Sequence, residues 1–452
     1  MRLIYTRPTL VMLWLSAACL LAGLLAAWLL LQQPWLGIKL QASASGEQLV
    51  VAGLDPRFGH TITVGAQALR LVSAAGESID LQPVDLIEEP DFLDTYAEMA
   101  AFFDRQSALS VMLRSGPVTL VWRDGQGSDT ATVIQPRARP LASVPAVFWF
   151  QLGAGFAALL VAAWVFVLRP DYWGTRLFAL TGLAFPLATV SAAIYSSREL
   201  ALPGDLFRVL SSVNHAGALS FGCALVGLFL MYPKPFVRPR TLLWIPAVFG
   251  AWLVADVMRW APDQNWGSRL PGLLQLLLAI AFGLLQWRRS RHQPLDRAAL
   301  RWFALSSLVG CSLFVLTVYA PAMLGWFAPL PQAYAFGFFL FMYAGIALGL
   351  RRYRLFDLDE WAYRVLVWLA GAIAVVVMDA TLLLPTCCGN CLILWKWSRA
   401  RATRAEPKCA KTVCCCVYPV SDPHPRMPCD MQGMAPAFFR PGTRSLLLPC
   451  AI

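Results

Sequence analysis

The sequence predicts an α-helical polytopic membrane protein of about nine spans. A small α+β extracytoplasmic domain follows the first span, and an irregular tail ends the chain. Three observations predict this. Long apolar runs recur in series over residues 144–384, more than any soluble core needs; a bilayer requires them, because only a helix satisfies its own backbone there. The joints between the runs alternate between arginine-rich and arginine-poor. Residues 32–143 lose the long runs and alternate apolar with polar side chains at a period near two. With 58% hydrophobic and 14% charged residues, an ordinary soluble composition is excluded. The net charge of +11 does not point to nucleic acid, because its bases sit mainly in the joints and the tail.

Residues 1–31 form a membrane anchor. Arg2 and Arg7 precede an apolar run over 10–31, which predicts an uncleaved first span with its N-terminus in the cytoplasm. A cleaved signal peptide would need a shorter run. The lipoprotein-like Leu15-Ser-Ala-Ala-Cys19 is followed by more apolar sequence, not a polar mature start.

Residues 32–143 form the external domain. Alternation predicts strands over 48–52, 61–64, 68–72, 109–113, 118–122 and 130–134. Phe92, Tyr96, Met99 and Phe103 recur at helical spacing after Pro90-Asp91 and predict a helix over 91–106. Arg123-Asp-Gly-Gln-Gly127 reads as a hairpin turn. Trp35-Leu-Gly-Ile-Lys-Leu40 and Val50-Val-Ala-Gly-Leu-Asp-Pro56 resemble the start of a PDZ-like domain. That resemblance implies a loop before a strand edge able to accept a peptide. The Gly-Asp-plus-hydrophobic signature expected further on is missing.

Residues 144–384 form the membrane block, with spans at 145–168, 177–195, 206–231, 241–258, 271–287, 302–320, 333–350 and 362–384. One set of joints holds Arg169 and Arg176, then Lys234, Arg238 and Arg240, then five arginines over 288–301, then Arg351, Arg352, Arg354 and Arg364. The opposite joints and their edges carry only Arg198, Arg208, Arg259 and Arg269. This asymmetry predicts that the first set is cytoplasmic and the 32–143 domain lies across the membrane.

Polar residues inside the runs are the candidate intramembrane site: Asn214, His215, Asp256 and Asp379. Ionisable groups at such depth face protein or water. They serve either a ligand, proton or signal, or interhelical packing. The sharper expectation is that His215 and Asp379 approach one another and respond to pH.

Arg352-Tyr-Arg-Leu-Phe-Asp-Leu-Asp-Glu-Trp361, with the span that follows, resembles the juxtamembrane segment of bacterial multi-pass sensor histidine kinases. The resemblance covers residues 1–384. It implies the signal-sensing input region of a two-component system in the bacterial inner membrane, homodimeric, with an unknown ligand at the external domain or membrane block. Arg352, Tyr353, Arg354, Phe356, Asp357, Asp359 and Trp361 would then form the joint that transmits the signal. The departure is that His60, His215, His292 and His424 all lack the acidic neighbour of a phosphoacceptor, and no Gly-rich ATP motif follows. No P-loop, dinucleotide or zinc-protease signature is present, so no catalytic, cofactor or metal residue is assigned. Lipid is the expected partner and nucleic acid is not. The rival classes are a small-solute transporter, which would show Gly/Pro-broken paired spans, and a membrane-embedded enzyme, which would cluster His and acids at one depth.

Residues 385–452 hold nine of the 12 cysteines, nine Lys/Arg and three acids, without periodicity. Out-of-frame translation after a frameshift that removed the kinase region is the expected explanation. Metal binding through Cys388, Cys391, Cys409, Cys414 to Cys416 and His424, or a disulfide-bonded tail, are the alternatives.

Overall fold

A computed structural model of the protein describes residues 8–43, 45–58, 61–292 and 294–353, with backbone alone for 8, 294–302 and 346–353. The expected 362–384 span, Asp379, Arg354, Phe356, Asp357, Asp359, Trp361 and the 385–452 tail lie outside the described residues.

The first helix, α1 (Pro8–Leu31), is apolar on all sides, and Leu13, Trp14, Leu20 and Leu21 are exposed. That suits a lipid-facing span better than a soluble helix. Strands β1 (Pro34–Trp35) and β8 (Arg137–Ala138) pair with each other and tie the two ends of the sheet domain together.

Between them lie β2 (Ile38–Ala42), β3 (Leu49–Leu54), β4 (Gln67–Ser73), β5 (Ser78–Asp80), β6 (Val118–Arg123) and β7 (Asp129–Ile134). They form an antiparallel sheet in the order β2-β3-β4-β6-β7, with β5 on β4. β6 and β7 turn back on each other at Asp124–Gly127, as the turn residues predict.

Two strand expectations fail. Residues 61–64 are a loop: the β3 edge there bonds Gly65 and Ala66, and Thr61–Val64 carries the chain across to β4. Residues 109–113 are helical, inside α2 (Tyr96–Ser115). The helix begins at Tyr96 instead of Asp91, because Thr95 and Glu98 cap each other's backbone N–H at 3.1 Å. It runs on through Leu109 until Gly116 ends it at φ 144°.

The membrane block is α3 (Ala146–Leu168), α4 (Trp173–Ser196), α5 (Gly204–Met231), α6 (Trp244–Val257), α7 (Leu270–Arg289), α8 (Pro294–Phe314), the short α9 (Ala320–Leu324) and α10 (Gln332–Tyr353). Among the described residues, seven helices are long and apolar enough to cross a membrane. The protein is therefore a multi-pass helical membrane protein with a small sheet domain. Close helix approach uses small residues. A Cβ on Gly217 of α5 would lie 2.6 Å from the Ala188 nitrogen of α4.

Helix α2 belongs to two cores at once. Its Leu109, Met112 and Leu113 pack under the sheet with Leu71 and Leu120. Its Met99, Phe102 and Phe103 pack into the helical core with Phe207 and Tyr195. The sheet domain is thus joined to the helices by a shared hydrophobic core, not held on a flexible stalk.

Candidate functional site

The candidate site lies where the sheet domain meets α5 and the ends of α6, α7 and α10. His215, in α5, is buried, and both its ring nitrogens meet carboxylates. Nδ1 is 2.6 Å from Asp256 Oδ2 and Nε2 is 2.9 Å from Asp91 Oδ1. Asp256 stands at the C-terminal end of α6, and its other oxygen accepts from the Tyr96 hydroxyl at 2.7 Å. A four-residue chain, Tyr96–Asp256–His215–Asp91, therefore begins and ends in the sheet domain and passes through two membrane helices. Gly267 makes room for it, since a Cβ there would meet the Tyr96 hydroxyl and Asp256.

With a carboxylate oxygen at each nitrogen, every bond in the chain is made when both nitrogens carry a proton, or when one carboxyl carries it instead. Burial makes either arrangement stringent, because an unmade bond would leave a polar group without water. His215 and Asp256 are both buried. Burial and the hydrogen bond to Asp256 also raise the Tyr96 phenol above its ordinary range, so it stays a donor.

Arg269 closes the other side. It contacts Asp94 at 3.1 Å, Asn265 Oδ1 at 2.8 Å and the Leu93 carbonyl at 3.2 Å, and it also donates to the Asp91 carbonyl. It sits on the last residue of a π-turn, Asn265–Arg269. Tyr319 ends a second π-turn, Val315–Tyr319, and lines the same small cavity. Such turns shift side-chain direction within a helix and are often found where a side chain must be re-aimed.

The cavity measures about 60 Å³ and is walled by Glu89, Asp91, Asn214, His215, Arg269 and Gln332, among others. That is room for a few waters and not for an organic solute.

Glu89 is buried and accepts from the Ala333 N–H at 3.3 Å at the start of α10. Burial, then the nearby Asp91 and Glu88 charges, push its carboxyl well above the ordinary value of 4.5. Folding therefore favours the protonated form. The associated stability is complete below pH 4.5 and is lost as pH rises toward the folded value, by about 1.4 kcal/mol per unit. Glu89→Gln fixes the neutral form and keeps an acceptor for Ala333. Its melting temperature in detergent should match wild type in acid and exceed it at pH 7; a variant no more stable at pH 7 would contradict the assignment.

Of the residues expected from sequence, Asn214, His215 and Asp256 come together at this end of the bundle. Asn214 has its donor committed to the Ala188 carbonyl of α4 at 3.0 Å. Asp379 lies outside the described residues, and both nitrogens of His215 already have carboxylate partners from elsewhere. Asp91, Glu89, Asp94, Tyr96 and Arg269 escaped the sequence reading. Arg269 and Arg198 did carry a signal, as arginines on the arginine-poor side.

Arg198, in the α4–α5 turn, is the second clamp. It donates to Gln106 Oε1 at 3.2 Å and to the Tyr195, Asp85 and Ile87 carbonyls at 3.0, 2.9 and 2.6 Å. Its guanidinium also lies over the Phe102 and Phe207 rings. Burial lowers it to about 10, which leaves it charged at neutral pH.

No family model matches the chain, and no curated protein or solved structure is similar enough to count as a match.

Proposed function

We propose that the protein is the signal-sensing input region of a two-component sensor histidine kinase, seated in a bacterial cytoplasmic membrane with its N-terminus inside and working as a homodimer. The observation that carries this reading is the Tyr96–Asp256–His215–Asp91 chain with its Arg269 clamp. It gives the external domain a polar, two-sided grip on α5, α6 and α7. A change in the domain would be felt by helices whose other ends carry the arginine-rich joints. Such a grip has two discrete arrangements, made or broken, which is what a two-state packing change needs. The signal would leave through Arg352, Tyr353 and the residues up to Trp361. The free edge of β2 beside Trp35–Leu40 is where the PDZ-like reading would place a peptide.

The transporter reading fares less well, because the polar space at His215 is water-sized. Hydrogen exchange on the full chain in nanodiscs tests the proposal. Asp91→Asn should alter protection in the external domain and also at the far ends of α7 and α8, near residues 286–300. Changes confined to residues 34–140 would sink the sensing mechanism, and solute uptake by proteoliposomes would replace it with transport.

A further inference from the structure

A groove of about 620 Å³, separate from the His215 site, lies between α4, α5 and α6. Its walls come from residues 173–187 of α4, 219–227 of α5 and 239–253 in α6 and the turn before it. Each of these stretches adjoins an arginine-rich joint, at Arg169 and Arg176 or at Lys234, Arg238 and Arg240. The groove therefore lies in the leaflet on that side of the membrane. It opens outward between the helices, with Leu180, Leu183, Leu187 and Leu243 exposed along it. Small residues make the space: Ala184, Ala224, Gly227 and Gly250 line it, and a Cβ on Gly250 would meet nothing within 4 Å.

The walls are apolar except at one end. Arg240 is the one charged group among the described lining residues, and no carboxylate stands with it. Ser220, Cys223 and the Trp173 indole are the other polar groups there, and Cys223 Sγ already accepts from Gln275 at 3.1 Å. Arg240 is exposed, and among the described residues no hydrogen bond or ion pair holds its guanidinium. Asp171, just before Trp173, faces Arg176 at 4.0 Å. The charge left over at the rim is positive.

A groove open to hydrocarbon does not stay empty, because its walls would forfeit their dispersion contacts. Water has no partners among such walls. From Arg240 to Leu253 the groove runs about 20 Å, at ~1.5 Å per helical residue. One leaflet of a ~30 Å hydrocarbon core is about 15 Å deep, so an acyl chain entering from the rim matches the length. A further helix, from this chain or a second copy, matches the charge poorly. The spans of this sequence carry Lys or Arg at their arginine-rich ends, and another basic end would be brought to Arg240.

We propose that this groove holds an acyl chain of an anionic phospholipid, with the headgroup phosphate at Arg240. The chain by itself confers no selectivity, since lipid tails are as apolar as leucine. Selection comes from the headgroup, and one arginine near the surface favours an anionic lipid about fivefold. Trp173 stands at the same end, at the level where indoles meet headgroups. Binding here requires the membrane and the groove, and it stands whether or not the protein signals to a kinase.

The test uses the full chain in phosphatidylcholine nanodiscs doped with a trace of phosphatidylglycerol or phosphatidylcholine, both bearing the same photoactivatable diazirine acyl chain. Labelled peptides are mapped by mass spectrometry. The phosphatidylglycerol probe should label the groove walls, Leu183, Leu219 and Phe249 among them, about fivefold more than the phosphatidylcholine probe. The exposed face of α1 at Leu20, Leu21 and Leu24 should take the two probes equally and serves as the reference. Arg240→Gln, which breaks no contact among the described residues, should bring the groove ratio down to that of α1. Gly250→Leu fills the groove from a helical position that tolerates the side chain, and should lower labelling of the walls by both probes while α1 is unchanged. Equal labelling of the groove by the two probes, or a ratio that survives Arg240→Gln, overturns the proposal. So does a groove that neither probe labels, which would show a protein helix covering it.

Discussion

Arg198→Ala should detach the sheet domain from the helix bundle. The guanidinium satisfies Gln106 Oε1 and three backbone carbonyls and lies over two aromatic rings. Removing it leaves the Ile87 carbonyl without this donor and opens a void over the Phe102 and Phe207 rings. Charge-assisted hydrogen bonds contribute about 1.5–3 kcal/mol each, and truncating one member of a buried polar network costs about 3–5 kcal/mol. The expected loss is of the latter size, because the released groups regain some water. Arg198→Lys should recover little, since a point-like ammonium cannot reach four acceptors set around a planar fork. Limited proteolysis of the purified protein provides the check. Cleavage near residues 82–95 should accelerate sharply in the variant while the helices stay protected. Unchanged cleavage there would mean that the shared core of α2 holds the domain without the clamp.

The membrane class was legible because it depends on local composition. Runs such as 159–168 exceed what a soluble helix tolerates, and the arginine asymmetry is visible one joint at a time. His215 and Asp256 were legible for the same reason, as ionisable groups in apolar surroundings. Their partners were not. Asp91, Asp94 and Tyr96 lie in a polar stretch where one more acid carries no signal, and they reach His215, Arg269 and Asp256 respectively only through contacts across more than 120 positions. The misplaced strand at 109–113 has a similar origin. Leu109-Ser-Val-Met-Leu113 fits both a strand and a helix face, because Leu109, Met112 and Leu113 are also spaced at three and four. The cap at Thr95 and Glu98, 14 and 11 positions earlier, decided between them.

Asp256→Ala should be the most damaging change at the seam. It removes the partner of His215 Nδ1 and the acceptor of the Tyr96 hydroxyl together, in a site that water reaches poorly. A loss of about 3–5 kcal/mol is expected for breaking a buried pair from one side. Asp91→Asn should cost less, because the Asp91 side chain is 24% exposed and its amide oxygen can still face His215 Nε2. The informative variant is the double one. His215→Leu with Asp256→Leu removes both the charges and their desolvation, and apolar replacement of a buried ion pair is often neutral or stabilising. Thermal unfolding of wild type, His215→Leu, Asp256→Leu and the double in one detergent forms a cycle. If the double variant is more stable than Asp256→Ala yet loses the long-range exchange response described above, the chain exists to couple the domain to the helices and not to hold them together. If the double variant is as unstable as the single, the chain is structural, and coupling must run through α2 alone.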